Sequence, residues 1–166
     1  MGKSRQQFFT GLPVAIWLLL ILPLLFSCTL PRIVVLEDTL TAEQHNDLGY
    51  VYEQKKIYDL AEKEYLLAVK KREDWPAPYF NLGNLAYKMG DYRKSEDFFR
   101  KSLKYDPNNT DVMNNLANAL LVQDRLREAR LLIEKALQTS RKDAYLDTLK
   151  EIQKKEALPP VRSREN

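Results

Sequence analysis

Residues able to do covalent or metal chemistry are scarce in this chain of 166 residues. His45 is the single histidine and Cys28 the single cysteine. A Ser-His-Asp or Cys-His-Asp site would have to be built on His45 alone. One cysteine excludes an internal disulfide, and one Cys with one His falls short of a zinc site. The acidic residues show no metal-loop spacing. No catalytic residue, metal or cofactor is therefore expected, and the chain reads as non-enzymatic, with His45 a packing residue. What does recur is the amide side chain: Asn81 and Asn115 lie 34 residues apart, and so do Asn84 and Asn118. Each amide carries N–H donors and a carbonyl acceptor, the complement of a peptide backbone.

Composition narrows the class further. Charged residues make up 30% and the hydrophobic set 45%, which is enough apolar material for one folded domain. Net charge is +3, and Lys3 and Arg5 are the only charges in the first 27 residues. The remainder is nearly neutral, so nucleic acid, which demands a basic face, is not expected as a partner.

The N-terminus carries a different signal. The 26 residues between Arg5 and Arg32 contain no charge, and Leu12 to Phe26 is almost wholly apolar. Lys3 and Arg5 ahead of an apolar run make the pattern of a secretory signal, with that end held in the cytoplasm. Leu25-Phe26-Ser27-Cys28 resembles the lipobox of bacterial lipoproteins, which implies cleavage before Cys28 and lipidation of its sulfur. Phe26 departs from that pattern, since a small residue is usual there. The same run is also long enough for an uncleaved transmembrane helix, and both anchors stay open. Either one places the rest of the chain on the non-cytoplasmic side of a membrane in the cell envelope. In the lipoprotein resemblance, Thr29 rather than Asp after the Cys points to the periplasmic side of the outer membrane. The expected division is a leader over 1–27 and a linker over 28–41.

Beyond the linker the chain repeats. Leu48-Gly49, Leu82-Gly83 and Leu116-Ala117 fall at intervals of 34. The same shift superposes Ala61, Ser95 and Ala129, all small. It also superposes Tyr65, Phe99 and Ile133, all large, and then Ala68, Ser102 and Ala136, small again. Three copies follow, 42–75, 76–109 and 110–143, each with two helical stretches. Gly90-Asp91 marks the turn inside the second copy, and Asp106-Pro107-Asn108-Asn109 closes it. A capping helix over 144–158 is expected from the stripe Leu146, Leu149, Ile152, with a frayed tail over 159–166.

This spacing of small and large residues resembles the tetratricopeptide repeat (TPR). The resemblance implies an all-α fold, a right-handed α-solenoid of three helix hairpins plus the capping helix, preceded by the N-terminal hydrophobic signal or anchor helix. It also implies a concave groove lined by first helices, which holds a peptide or a partner helix. Projected onto that groove are Asp47, Tyr50 and Glu53, then Phe80, Asn81, Asn84, Tyr87 and Lys88, then Asn115, Asn118, Leu121 and Val122. The aromatic residues would anchor a protein partner, and the amides would either pair with its backbone or bond neighbouring helices. A clamp for an acidic chaperone C-terminus needs Lys and Arg, where the third copy has Asp111, Asn114 and Asn115. The function expected is that of a membrane-tethered scaffold in the bacterial envelope. The alternatives are an accessory or assembly factor for an exported enzyme, and a self-assembling structural repeat.

Overall fold

The 34-residue period sets the helices before any contact is considered. The computed structural model describes residues 38–158, and among them seven helices follow one another: α1 (Ala42–Gln54), α2 (Tyr58–Lys71), α3 (Pro76–Lys88), α4 (Tyr92–Tyr105), α5 (Thr110–Val122), α6 (Leu126–Thr139) and α7 (Asp143–Glu156). The first helices α1, α3 and α5 have 13 residues each and the second helices α2, α4 and α6 have 14. Both sets keep the interval of the sequence repeat, so the helices pair as hairpins α1/α2, α3/α4 and α5/α6. The leader with Cys28, the linker as far as residue 37 and the tail from 159 lie outside the described residues.

Local signals start the first helices in three ways. Thr41 and Gln44 form a reciprocal capping box on α1. Pro76 opens α3, where its missing N–H has no intrahelical partner to lose. Asn109 accepts from the Val112 amide and caps α5.

The turn within each hairpin has one geometry. The residue after the C-cap takes a left-handed conformation in all three: Lys56 at φ 60°, Gly90 at 82° and Asp124 at 61°. The next amide then reaches back to the first helix, Ile57 to Tyr52, Asp91 to Ala86 and Arg125 to Leu120. These are the bonds of a Schellman stop, which satisfies carbonyls that would otherwise lack donors. Only the second copy places glycine there.

Packing within the hairpins is close because one partner has almost no side chain. A Cβ added to Gly49 would lie 2.6 Å from Tyr65 Cδ1, and one added to Gly83 would lie 2.5 Å from Phe99 Cδ1. Each ring lies flat over a glycine. In the third hairpin the equivalent residues are Ala117 and Ile133, both fully buried. A methyl group on the first helix thus goes with a branched aliphatic chain on the second, in place of a ring. The other small positions, Ala61, Ser95, Ala129, Ala68, Ser102 and Ala136, are all buried. Where serine replaces alanine, its hydroxyl donates to a backbone carbonyl, Ser95 to Gly83 at 2.9 Å and Ser102 to Pro76 at 3.0 Å.

The hairpins stack unevenly. Consecutive first helices approach one another while consecutive second helices do not. The array is therefore tighter along α1, α3, α5 and α7, and those helices line its hollow side. The capping helix α7 covers the end of this stack, but on a stripe turned by one residue from the expected one. Tyr145, Thr148 and Ile152 are buried, whereas Leu146 and Leu149 are half-buried.

Two predictions follow from these contacts. Gly83→Ala drives a methyl group into the Phe99 ring and should lower the unfolding free energy by about 1–3 kcal/mol. Urea unfolding of Gly83→Ala/Phe99→Ile, which copies the third hairpin, should return a substantial part of that loss. At the turns, Lys56→Gly should raise stability by up to about 1 kcal/mol, and Gly90→Ala should lower it by a similar amount.

Candidate peptide-binding groove

The hollow side is built from the first helices, and the aromatic residues expected there have three different settings. Tyr50 stands 55% exposed on α1. Phe80 is half-buried, its ring 6.0 Å from that of Phe99. Tyr87 is half-buried and meets Tyr92 edge-on at 5.2 Å. Burial, and then the neighbouring Tyr92, push the Tyr87 phenol above its ordinary value, so at neutral pH it keeps its proton to donate.

The amides are tied across hairpins. Asn81 Nδ2 donates to Asn46 Oδ1 at 2.8 Å, joining α3 to α1. Asn115 Nδ2 donates to Asn84 Oδ1 at 2.8 Å, joining α5 to α3. Thr148 Oγ1 donates to Asn114 Oδ1 at 2.9 Å and lies 3.3 Å from Asn118 Oδ1, joining α7 to α5. Of the two roles open to them, the amides thus fill the helix-bonding one. Bonding uses only part of their capacity. Among the described residues, neither Asn84 Nδ2 nor Asn118 Nδ2 has an acceptor, and both residues line a recess of about 210 Å³ with Tyr87, Phe99 and Asn115.

Two projected residues belong to the interior instead. Glu53 is 8% exposed, accepting from Tyr65 Oη at 2.7 Å and Lys88 Nζ at 2.5 Å. Leu121 is 7% exposed and packs in the core cluster that includes Ile152 of α7. Lys155 Nζ reaches the Leu121 carbonyl at 3.0 Å, which draws α7 over that end of α5. Periodicity projected both residues outward because it assigns a face without knowing what a neighbouring helix will cover.

The last stretch of the groove depends on residues that pattern reading passed over. Lys142 Nζ contacts both Asp111 carboxylate oxygens, at 2.7 and 2.8 Å, and Tyr145 Oη donates to the same carboxylate at 2.6 Å. The Lys142 hydrogen bond first, then that of Tyr145, hold Asp111 below the usual carboxylate range. Thr148 lies 34 residues after Asn114, so the repeat interval itself could have found that pair. His45 is buried, with Nδ1 2.7 Å from Glu64 Oε2, and its place is in packing between α1 and α2.

The Tyr65–Glu53 contact leads to a pH prediction. Burial, then the hydrogen bond and charge of Glu53, push the Tyr65 phenol well above its ordinary value. Its contribution is complete below the unfolded pKa of about 10. Above that pH the unfolded chain releases the proton and the folded one holds it, so stability falls as pH rises. Urea midpoints of Tyr65→Phe should decline less steeply than wild type above about pH 10.

Comparison with known proteins agrees with this geometry. Residues 86–151 match the family described as Tetratricopeptide repeat. The chain is 32% identical over 77 residues to human Tetratricopeptide repeat protein 6, covering 46% of this chain and 15% of that one. It is 31% identical over 93 residues to ycf37 of Guillardia theta, covering 54% and 52%. The chain thus spans about half of one of these relatives and a small part of the other. Among solved structures, the first TPR of Spaghetti (RPAP3) bound to an HSP90 peptide is similar at a TM-score of 0.69 and 17% identity, covering 73% of this chain and 97% of that one. The TPR2B domain of yeast Sti1 in a complex with Hsp70 is similar at 0.65 and 17%, covering 69% and 97%. With its hairpin pairs, its turns and its small-to-large packing on the same interval, the described helical part of this chain has the fold of tetratricopeptide-repeat domains.

Proposed function

We propose that this domain is a protein-interaction scaffold that holds an extended, largely uncharged peptide segment along α1, α3 and α5. The observation that carries this reading is the pair of unused amide donors, Asn84 Nδ2 and Asn118 Nδ2, in one recess beside the Tyr87 ring. Donors on two adjacent first helices that line one recess suit backbone carbonyls of a bound strand, and Tyr50 and Phe80 supply apolar footing on the first helices. An acidic peptide is disfavoured. The third hairpin meets the groove with Asn114, Asn115 and an Asp111 already held by Lys142 and Tyr145. The HSP90 and Hsp70 ligands named for the two solved relatives therefore do not transfer to this groove.

The reading includes display on a membrane, on the non-cytoplasmic side of a bacterial envelope, through the leader and Cys28. Its support is the apolar run behind Lys3 and Arg5 and the lipobox-like Leu25-Phe26-Ser27-Cys28. A tethered scaffold gains effective concentration toward partners on the same surface.

Selection of displayed peptides on the full chain in mild detergent tests the groove. Enriched sequences should carry apolar anchors without a requirement for acidic residues. Asn84→Ala/Asn118→Ala should weaken their binding by about tenfold or more, two hydrogen bonds at roughly 1 kcal/mol each. Unchanged affinity in that variant removes the groove from the account. The intact mass of the membrane-extracted chain tests the tether: a triacylated form starting at Cys28 supports the lipoprotein, and a mass starting at Met1 leaves the transmembrane anchor.

A further inference from the structure

The repeat interval shows what the open face of the first hairpin is built to do. Five positions reach back to the hairpin before, three of them in both later hairpins and two, Gln123 and Arg125, in the third alone, where the second has exposed Met89 and Asp91. Asn81 and Asn115 bond Asn46 and Asn84. Leu85 and Ala119 are buried. Gln123 and Arg125 bond Glu96, at 3.3 and 2.5 Å. Lys94 bonds Glu62 at 2.6 Å, and Glu128 accepts from Arg100 at 3.2 Å.

The first hairpin carries Asp47, Val51, Lys55, Ile57 and Leu60 at those positions. No earlier hairpin stands before them among the described residues. Val51, Ile57 and Leu60 are 44%, 42% and 38% exposed. Two of these are apolar where later copies carry charge: Ile57 stands for Asp91 and Arg125, and Leu60 for Lys94 and Glu128. An end meant only for water would carry the later residues. The other end of the array does face water in this way, since Asp147, Lys150, Glu151 and Lys154 of α7 are exposed.

We infer that this face binds its own likeness: two copies of the chain dock first hairpin to first hairpin, in a two-fold dimer centred on Val51. The charge pattern favours a second copy over any other occupant. Asp47, Val51 and Lys55 follow one another at four-residue steps and share one stripe of α1. Two antiparallel α1 helices with an axis at Val51 place Asp47 of each copy opposite Lys55 of the other. Neither residue has an ion-pair partner among the described residues. Ile57 and Leu60 flank the contact on the α2 side. The polar outer side of α7 offers no complement to this face, so the contact closes as a pair and does not propagate into a filament. The inference does not rest on the groove reading, although the two faces meet at Asp47, which is also projected onto the groove.

Full-length chain in mild detergent, with Cys28→Ser so that an introduced thiol stands alone, tests the dimer. Val51→Cys should give a disulfide-linked dimer on mild oxidation. Leu131→Cys, on α6 and 68% exposed, should not. In the Val51→Cys background, Asp47→Lys or Lys55→Asp should each reduce cross-linking about five- to tenfold, and the two together should restore it. Equal cross-linking at Val51→Cys and Leu131→Cys overturns the inference, and so does a double charge exchange without recovery. A face covered by another protein, by a membrane or by other residues of the same chain gives no cross-link at Val51→Cys, which also overturns it.

Discussion

A hairpin closes only as far as the side chains at its crossing allow. At two of the three crossings here the first helix presents a bare α-carbon and the second lays a ring over it, Tyr65 on Gly49 and Phe99 on Gly83. The third crossing uses Ala117 and Ile133, both fully buried. Residue size on one helix and flatness on the other are thus fixed jointly. The rest of the architecture follows from that crossing. It is spanned by a turn of three residues, one of them left-handed. It also leaves the remaining contact positions to alanine or serine.

Polar groups inside this packing are few, and the buried carboxylates Glu53 and Glu96 are both answered. Glu53 is the costliest, a carboxylate buried at the seam between the first two hairpins. Tyr65 and Lys88 together occupy both of its oxygens, which offsets the desolvation that an isolated carboxylate would suffer there. Because Lys88 belongs to the second hairpin and Tyr65 to the first, one carboxylate couples packing within a hairpin to stacking between hairpins. Glu96 has a similar position one repeat later. Burial works against its charge, yet Arg100 and then Arg125 outweigh that and hold its carboxyl below the usual range.

Much of this fold was legible from spacing alone. Leu82-Gly83 with Ser95, Phe99 and Ser102 announces a hairpin, because small and large classes recur in phase and few other folds need that. The turn at Gly90 was equally readable. Its counterparts at Lys56 and Asp124 were not, since neither residue advertises a left-handed backbone and only equivalence with Gly90 reveals it. The groove was less legible than the fold. Tyr50 is exposed and Phe80 and Tyr87 are half-buried on their first helices. Leu121 and Glu53 look the same in sequence and are covered, one by α7 and the other by its own partners. The helical stripe of α7 was misjudged by one residue because Tyr145 and Thr148 bury polar atoms, and apolar patterning gives such residues no weight.

The ties along the two margins of the array differ in kind. The hollow side is laced by the neutral bonds Asn46 to Asn81, Asn84 to Asn115 and Asn114 to Thr148, beside the ion pairs Lys88–Glu53 and Lys142–Asp111. The outer side is held by charges on long side chains, Lys94 to Glu62, Arg125 to Glu96 and Arg100 to Glu128. Dissolved ions screen the second kind and barely touch the first. Rising salinity therefore loosens the outer ties ahead of the amide ties, so the two margins of the array answer differently to the compartment around them.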